Sequence, residues 1–206
     1  MPKCKWTVDG QFSTASAYRA YFLGQEAILG AKCLSKTRAP GKCKFFAWLA
    51  LHDKCWTAAR RKRHHLQDDD FCALCGSESE SIDHLLVGCS FTRQVWHQLL
   101  LRENAASLTP TTQDLALAAW WTRGRKLIHK KSRKPFDSTV VLVSWAIWLE
   151  RNARTFNRQH RTVAQMVDHI LKEAPAWVHA RYKTIFSISQ QQSAAPSNVG
   201  HELVPL

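Results

Sequence analysis

The chain has 206 residues, 45% of them apolar and including nine Trp and nine Phe, enough to bury a real core, which excludes a wholly disordered polymer. Its 29 Lys and Arg against 16 Asp and Glu give a net charge of +13, so polyanions are attracted to it at moderate salt, although attraction alone specifies no function. The longest apolar run, Val140 to Leu149, is interrupted by Ser144 and spans about half the roughly 20 residues a membrane helix needs, so it reads as a core helix and no membrane partner is expected.

In chain order, alternation around Asp9-Gly10 predicts a short N-terminal β-hairpin. Ser13 then reads as the N-cap of a helix carrying Ala17, Tyr18, Tyr21 and Phe22, closed by Gly24 or Gly30. Phe45, Trp48, Leu49 and Leu51 predict a helix over Phe45 to Trp56, and a short Ala- and Arg-rich helix follows at Thr57. Beyond a cysteine-rich segment, Phe91, Val95, Trp96, Leu99 and Leu100 share a helical face. Three more helical patterns start at Thr111, Phe136 and Thr162, the last expected to be kinked or divided at Pro175. The polar, aperiodic end is expected to be a disordered tail. The expected fold is mainly α, a helical domain with a short N-terminal β-hairpin and a small zinc-knuckle-like centre. It divides into a cysteine-containing region 1–104, a C-terminal helical region 105–188 and the tail 189–206.

The centre is the spacing Cys72-x2-Cys75-x8-His84-x4-Cys89. Three thiolates and one imidazole suit a single tetrahedral Zn²⁺ in a closed, structural site with no position left for a reacting water. Gly76 lets the backbone fold over the first two sulfurs. His84 and Cys89 would diverge by about 140° on a continuous helix, so the helix is expected to stop between them, at a left-handed Gly88, with Ser81 as a cap at its start. Glu78, Glu80 and Asp83 lie between the ligands and are expected to make the knuckle repel phosphate. Zinc is then a clamp, and the basic flanks meet the nucleic acid. The seven cysteines are an odd number, no apolar leader opens the chain, and a reducing compartment, cytosol or nucleus, is expected.

The ordered set "WTVDGQFSTASAYRAYF", "APGKCKFFAWLALHDKCWTAARRKRHHLQDDDFCALCGSESESIDHLLVGCSFTRQVW" and "SWAIWLERNARTFN" resembles the zinc-binding region of plant non-LTR (LINE-type) retrotransposon reverse transcriptases. The resemblance covers most of residues 6 to 160. It implies Cys72, Cys75, His84 and Cys89 as zinc ligands, engagement of nucleic acid as part of a reverse transcriptase polyprotein, and nothing catalytic. These residues contain no Tyr-x-Asp-Asp polymerase motif, endonuclease region or recognisable ribonuclease H segment, consistent with an element fragment or a captured descendant.

Two basic clusters are the candidate nucleic-acid contacts. Arg60, Arg61, Lys62 and Arg63 could meet phosphates or form a nuclear import signal, and a solvated helix face explains them as well. Arg123, Arg125, Lys126, Lys130, Lys131, Arg133 and Lys134 follow Trp120 and Trp121, whose rings with Leu117, Leu127 and Ile128 read as core, leaving the charges as the binding candidates. Arg151, Arg154, Arg158 and Arg161 are expected on one exposed helix face, with Trp145, Trp148 and Phe156 packing inward on the other. Asp68 to Asp70 read as a solvated loop, and Cys43, His52 and Cys55 could form an incomplete metal set but, with no fourth ligand nearby, the cysteines read as buried ones in an apolar helix. The expected function is non-enzymatic binding of RNA or DNA with little sequence readout. The alternative is a structural or protein-interaction remnant of a polyprotein.

Overall fold

A computed structural model describes residues 29–180 and Tyr182. The expected hairpin, the Ser13 helix and the tail lie outside the described residues. Gly30, at φ +91, leads into α1 (Ala31–Lys36). Pro40, its φ fixed near helical values, starts α2 (Gly41–Leu51) four residues before the expected Phe45. The left-handed Asp53 ends that helix before Trp56. Thr57 caps α3 (Ala58–Arg63), its hydroxyl accepting from the amide of Arg60.

The cysteine segment follows, ending in a π turn, His84–Gly88. Then come α4 (Ser90–Arg102), α5 (Leu117–Leu127), α6 (Arg133–Asn157) and α7 (Val163–His179), with 3-10 turns at Ala106–Leu108 and Lys130–Ser132. The α5 helix starts later than Thr111 because the Asp114 carboxylate accepts from both the amide and the hydroxyl of Thr111, fixing a turn there. Among the described residues the only β pairing is one antiparallel bridge, Phe71 with Ser79.

The 25-residue α6, about 37 Å long by its rise per residue, is the axis of the core. Phe136, Val140, Val141, Val143 and Ile147 are almost wholly buried, and α2, α5, α7 and the π turn pack on it. One apolar cluster runs from Cys33 to Trp177, taking in residues on both sides of position 104. Trp120 and Trp121 are fully buried as expected, whereas Leu127 is 62% exposed. A Thr162–Gln165 capping box opens α7, which continues through Pro175 as one helix. Pro175 is exposed while Ala174 and Trp177 are buried, so the proline ring sits on the outer side and the helix keeps its apolar face on the core across it.

Gly124 in α5 lies against the Phe136 ring, and an added Cβ would stand 2.8 Å from its Cζ. Gly124→Ala is therefore expected to lose about 1–3 kcal/mol from overpacking, more than the roughly 1 kcal/mol of helix propensity it gains. Thermal melting tests this, and an unchanged or raised Tm would show that α5 and α6 separate freely.

Of the arginines expected on one exposed face, Arg158 is exposed, but Arg151 and Arg154 turn inward. Arg151 is 1% exposed, and its guanidinium donates to the fully buried Glu80 at 2.7 and 2.9 Å. Arg154 donates to Glu150 at 2.9 Å, and Arg161, beyond the helix end, donates to the same carboxylate through its amide and its side chain. Burial disfavours the Glu150 charge, but these donors outweigh it and hold the carboxyl below its ordinary pKa. Phe156, expected inside, is 61% exposed, while Trp145 and Trp148 do pack on Phe46.

Candidate metal centre

The first two sulfurs are set by a tight loop. The Cys72 amide donates to the Glu78 carbonyl at 2.8 Å and the Gly76 amide to the Cys72 carbonyl at 2.7 Å. Gly76 takes φ +71, the left-handed conformation a side chain would resist, and the Leu74 amide points at the Cys72 sulfur from 3.4 Å.

The second pair is set by a device different from the expected one. Ser81 does cap the segment, its hydroxyl accepting from the His84 amide at 3.0 Å. Gly88, however, is not left-handed. Instead the Cys89 amide donates to the His84 carbonyl at 2.6 Å, a five-residue π turn. This wider turn brings residue i+5 back over residue i, which a 100° step per residue cannot do. It is locked from outside, as Thr92 donates to the Leu85 carbonyl and the Trp96 indole to that of Leu86.

The four ligand atoms of Cys72, Cys75, His84 and Cys89 consequently lie within 4.8 Å of one another. Cys72 Sγ stands 3.9 Å from Cys89 Sγ, and Cys75 Sγ 3.5 Å from His84 Nε2. Around a tetrahedral zinc with ordinary bond lengths, two sulfurs are about 3.8 Å apart and a sulfur and an imidazole nitrogen about 3.5 Å. The residues therefore fit the ion. The His84 Nδ1 faces the Glu78 carboxylate at 3.3 Å, an orientation that leaves Nε2 for the metal.

The electrostatics of the cluster favour a cation. The hydrogen bond from Cys72 holds the Cys89 sulfur well below the ordinary thiol range against the effect of burial, with His84 and the amides of Thr92 and Phe91 adding to it. That bond and burial push the Cys72 thiol up. Burial opposes charging of Cys75, but Ser77, the Glu78 amide and His84 outweigh it and lower the thiol. Burial likewise opposes a charge on His84, and the two neighbouring sulfurs overcome it, raising the imidazole to about 9.

Sequence reasoning missed the shell around this site. Glu80 is wholly buried, and its two oxygens accept from the amides of Ala58 and Ala73 as well as from Arg151. Arg154 donates to the carbonyls of Ala73 and Leu74, the residues between the first two cysteines. Asp83 accepts from the Leu117 amide at the start of α5. Two of the three acids expected to repel phosphate thus hold the fold together, and only Glu78 is largely exposed. Cys43 and Cys55 are buried thiols pushed up to about 11 and about 12 by that burial, and His52 packs on Trp48 instead of joining them.

The expected nucleic-acid residues divide. Arg60 donates to the Asp53 carbonyl and lies over Trp56, Arg61 lies over Phe156, Lys62 pairs with Asp70, and Arg63 is exposed. Arg123 pairs with Asp114, and Arg125 with Asp137. Asp137 is raised to about 6 by burial, with the Trp121 indole, Arg125 and Arg133 acting against it. Arg133 is half-buried, whereas Lys126, Lys130, Lys131 and Lys134 are exposed and none has a carboxylate within ion-pair distance among the described residues. The two clusters do not merge. Arg61 sits by Phe156 near the end of α6 and Lys134 lies in its first turn, about 33 Å away along the helix.

The structure thus defines a helical protein organised around a closed site of three cysteines and one histidine. Residues 12–96, which include all four, match the family described as zinc-binding in reverse transcriptase. A putative ribonuclease H protein of Arabidopsis thaliana is 32% identical over 96 residues, covering 45% of this chain and 16% of that protein. The chain therefore spans less than a fifth of that relative's length. No solved structure matches. No described helix is long and apolar enough to cross a membrane.

Proposed function

We propose that the protein is a non-catalytic zinc module descended from a plant non-LTR retrotransposon reverse transcriptase, which binds RNA or DNA through phosphate contacts with little sequence readout. One structural Zn²⁺ per chain is held by Cys72, Cys75, His84 and Cys89. The zinc-binding family match and the cluster geometry support that assignment. The ion ties the loop after α3 to the start of α4 and leaves no coordination site for substrate.

The observation that carries the binding reading is the set Lys126, Lys130, Lys131 and Lys134 where α5 meets α6, without an ion-pair partner among the described residues. Lys134 lies in the first turn of α6 and Lys130 and Lys131 just before it, with no acidic residue in that turn. Cations there oppose the helix macrodipole by about 0.3–1 kcal/mol each. A bound phosphate backbone relieves both that opposition and their mutual repulsion.

Filter binding against salt concentration tests this. Replacing the four lysines with Gln is expected to weaken binding equally across sequences and flatten the log–log salt slope by about 3, leaving zinc content unchanged. No binding by the unaltered protein at low salt would assign the module to a structural or protein-interaction role instead.

A further inference from the structure

From Leu29 to His52 the chain carries five Lys or Arg and no Asp or Glu. This region forms α1 and α2, between which lies an apolar groove of about 290 Å³ lined by Leu34, Leu51, Phe45, Trp48 and Lys44. Phe45 is 62% exposed and Trp48 41% exposed. Their rings are nearly parallel, 9° apart with centroids 6.2 Å from each other, and the His52 ring lies 4.1 Å from that of Trp48 at a tilt of 33°. Lys32, Lys36 and Arg38 are exposed on α1 and the turn after it, with no carboxylate at ion-pair distance among the described residues.

Two exposed aromatic rings on a cationic surface with no carboxylate nearby are an unfavourable way to finish a protein exterior, because the rings remain partly hydrated and the charges repel. The combination has a specific complement. Unpaired nucleobases present apolar π faces for the rings, and the strand's phosphates supply the missing negative charge. A base-paired duplex offers only phosphates and groove edges, since its bases already stack on one another.

Resting on the nucleic-acid reading above, we propose that the α1–α2 face is a stacking platform for single-stranded RNA or DNA, with bases on Phe45 and Trp48 and phosphates on Lys32, Lys36, Arg38 and Lys44. The lysines at the α5–α6 corner serve paired and unpaired strands alike. The platform makes the protein prefer unpaired ones.

The test is fluorescence anisotropy of the full-length, zinc-loaded protein with a labelled 20-nucleotide oligothymidylate and with a duplex of equal length. Trp48→Ala is expected to weaken single-strand binding at least about fivefold, to change duplex binding less than twofold, and to be largely rescued by Trp48→Phe. Equal losses on both probes, or none, overturn the platform while leaving the general binding reading intact. Failure of the unaltered protein to bind either probe overturns both. A Trp48→Ala protein that melts earlier with its strand preference unchanged assigns the rings to packing with another part of the chain, and also overturns it. Photocrosslinking the unaltered protein to iodouracil-containing single strands keeps the proposal falsifiable if the variant does not fold. Crosslinks are expected between residues 41 and 54, and crosslinks confined elsewhere refute it.

Discussion

Cys89→Ala is expected to abolish stoichiometric zinc binding and to remove the cooperative thermal transition of the protein. Cys89 is wholly buried at the junction of the π turn and α4, so three ligands would remain around a hole that water fills poorly. Structural zinc sites contribute an apparent 10–16 kcal/mol or so to folding, as much as the whole stability of a typical domain, about 5–15 kcal/mol. The loop that carries the first two ligands has little regular structure of its own. Between Leu66 and Ser81 the described chain has a single β bridge and no helix. The control is Cys43→Ala, a thiol equally buried but outside the cluster, which should keep its zinc and lose only about 1 kcal/mol for the small cavity. Metal analysis and melting curves of both proteins decide the matter. One zinc per chain retained in Cys89→Ala would mean that the four side chains are not a ligand set.

The legibility of this site in the sequence follows from how local its chemistry is. Cys72, Cys75 and Gly76 form one turn, and Ser81 caps a segment three residues before His84. Such relations are visible as spacing because every partner is within a few positions. Gly88 shows the limit even there. Glycine at a helix end ordinarily suggests a left-handed stop, and nothing in the five residues announces a π turn, which is fixed from outside by Thr92 and Trp96.

The helices were legible wherever apolar residues recur with helical period, as in α4 and the middle of α6. The arginines of α6 were not. A three- and four-residue recurrence of Arg reads the same whether the face meets water or buried carboxylates, and the deciding partner of Arg151 is Glu80, 71 positions away. Glu80 itself was hidden in a run of Ser and Glu that looks like solvated loop. The basic face of α1 and α2 escaped notice for the opposite reason. Its cations are interspersed with apolar residues instead of forming a run, and only the packing of the two helices brings them around one groove.

Those buried arginines lead to the second large effect. Glu80→Ala is expected to destabilise the protein by about 3–5 kcal/mol, because it leaves the Arg151 guanidinium buried without a counter-charge. It also leaves the amides of Ala58 and Ala73 without their acceptor. Ala73 lies between Cys72 and Cys75, so the same change should loosen the metal loop and lower zinc affinity about 10- to 100-fold, as loss of outer-shell support commonly does. The two consequences separate in the double variant Glu80→Leu with Arg151→Met. Apolar replacement of both partners removes the unpaired charge and should recover much of the stability, yet it cannot restore an acceptor for the Ala73 amide, so zinc affinity should stay low. Urea unfolding of the zinc-saturated proteins and titration against a competing chelator measure the two quantities independently. If Glu80→Ala costs less than 1 kcal/mol, the pair is not the clamp between the metal loop and α6. If the double variant regains stability and zinc affinity together, the carboxylate acts on the metal loop only through Arg151, and its bond to the Ala73 amide contributes nothing of its own.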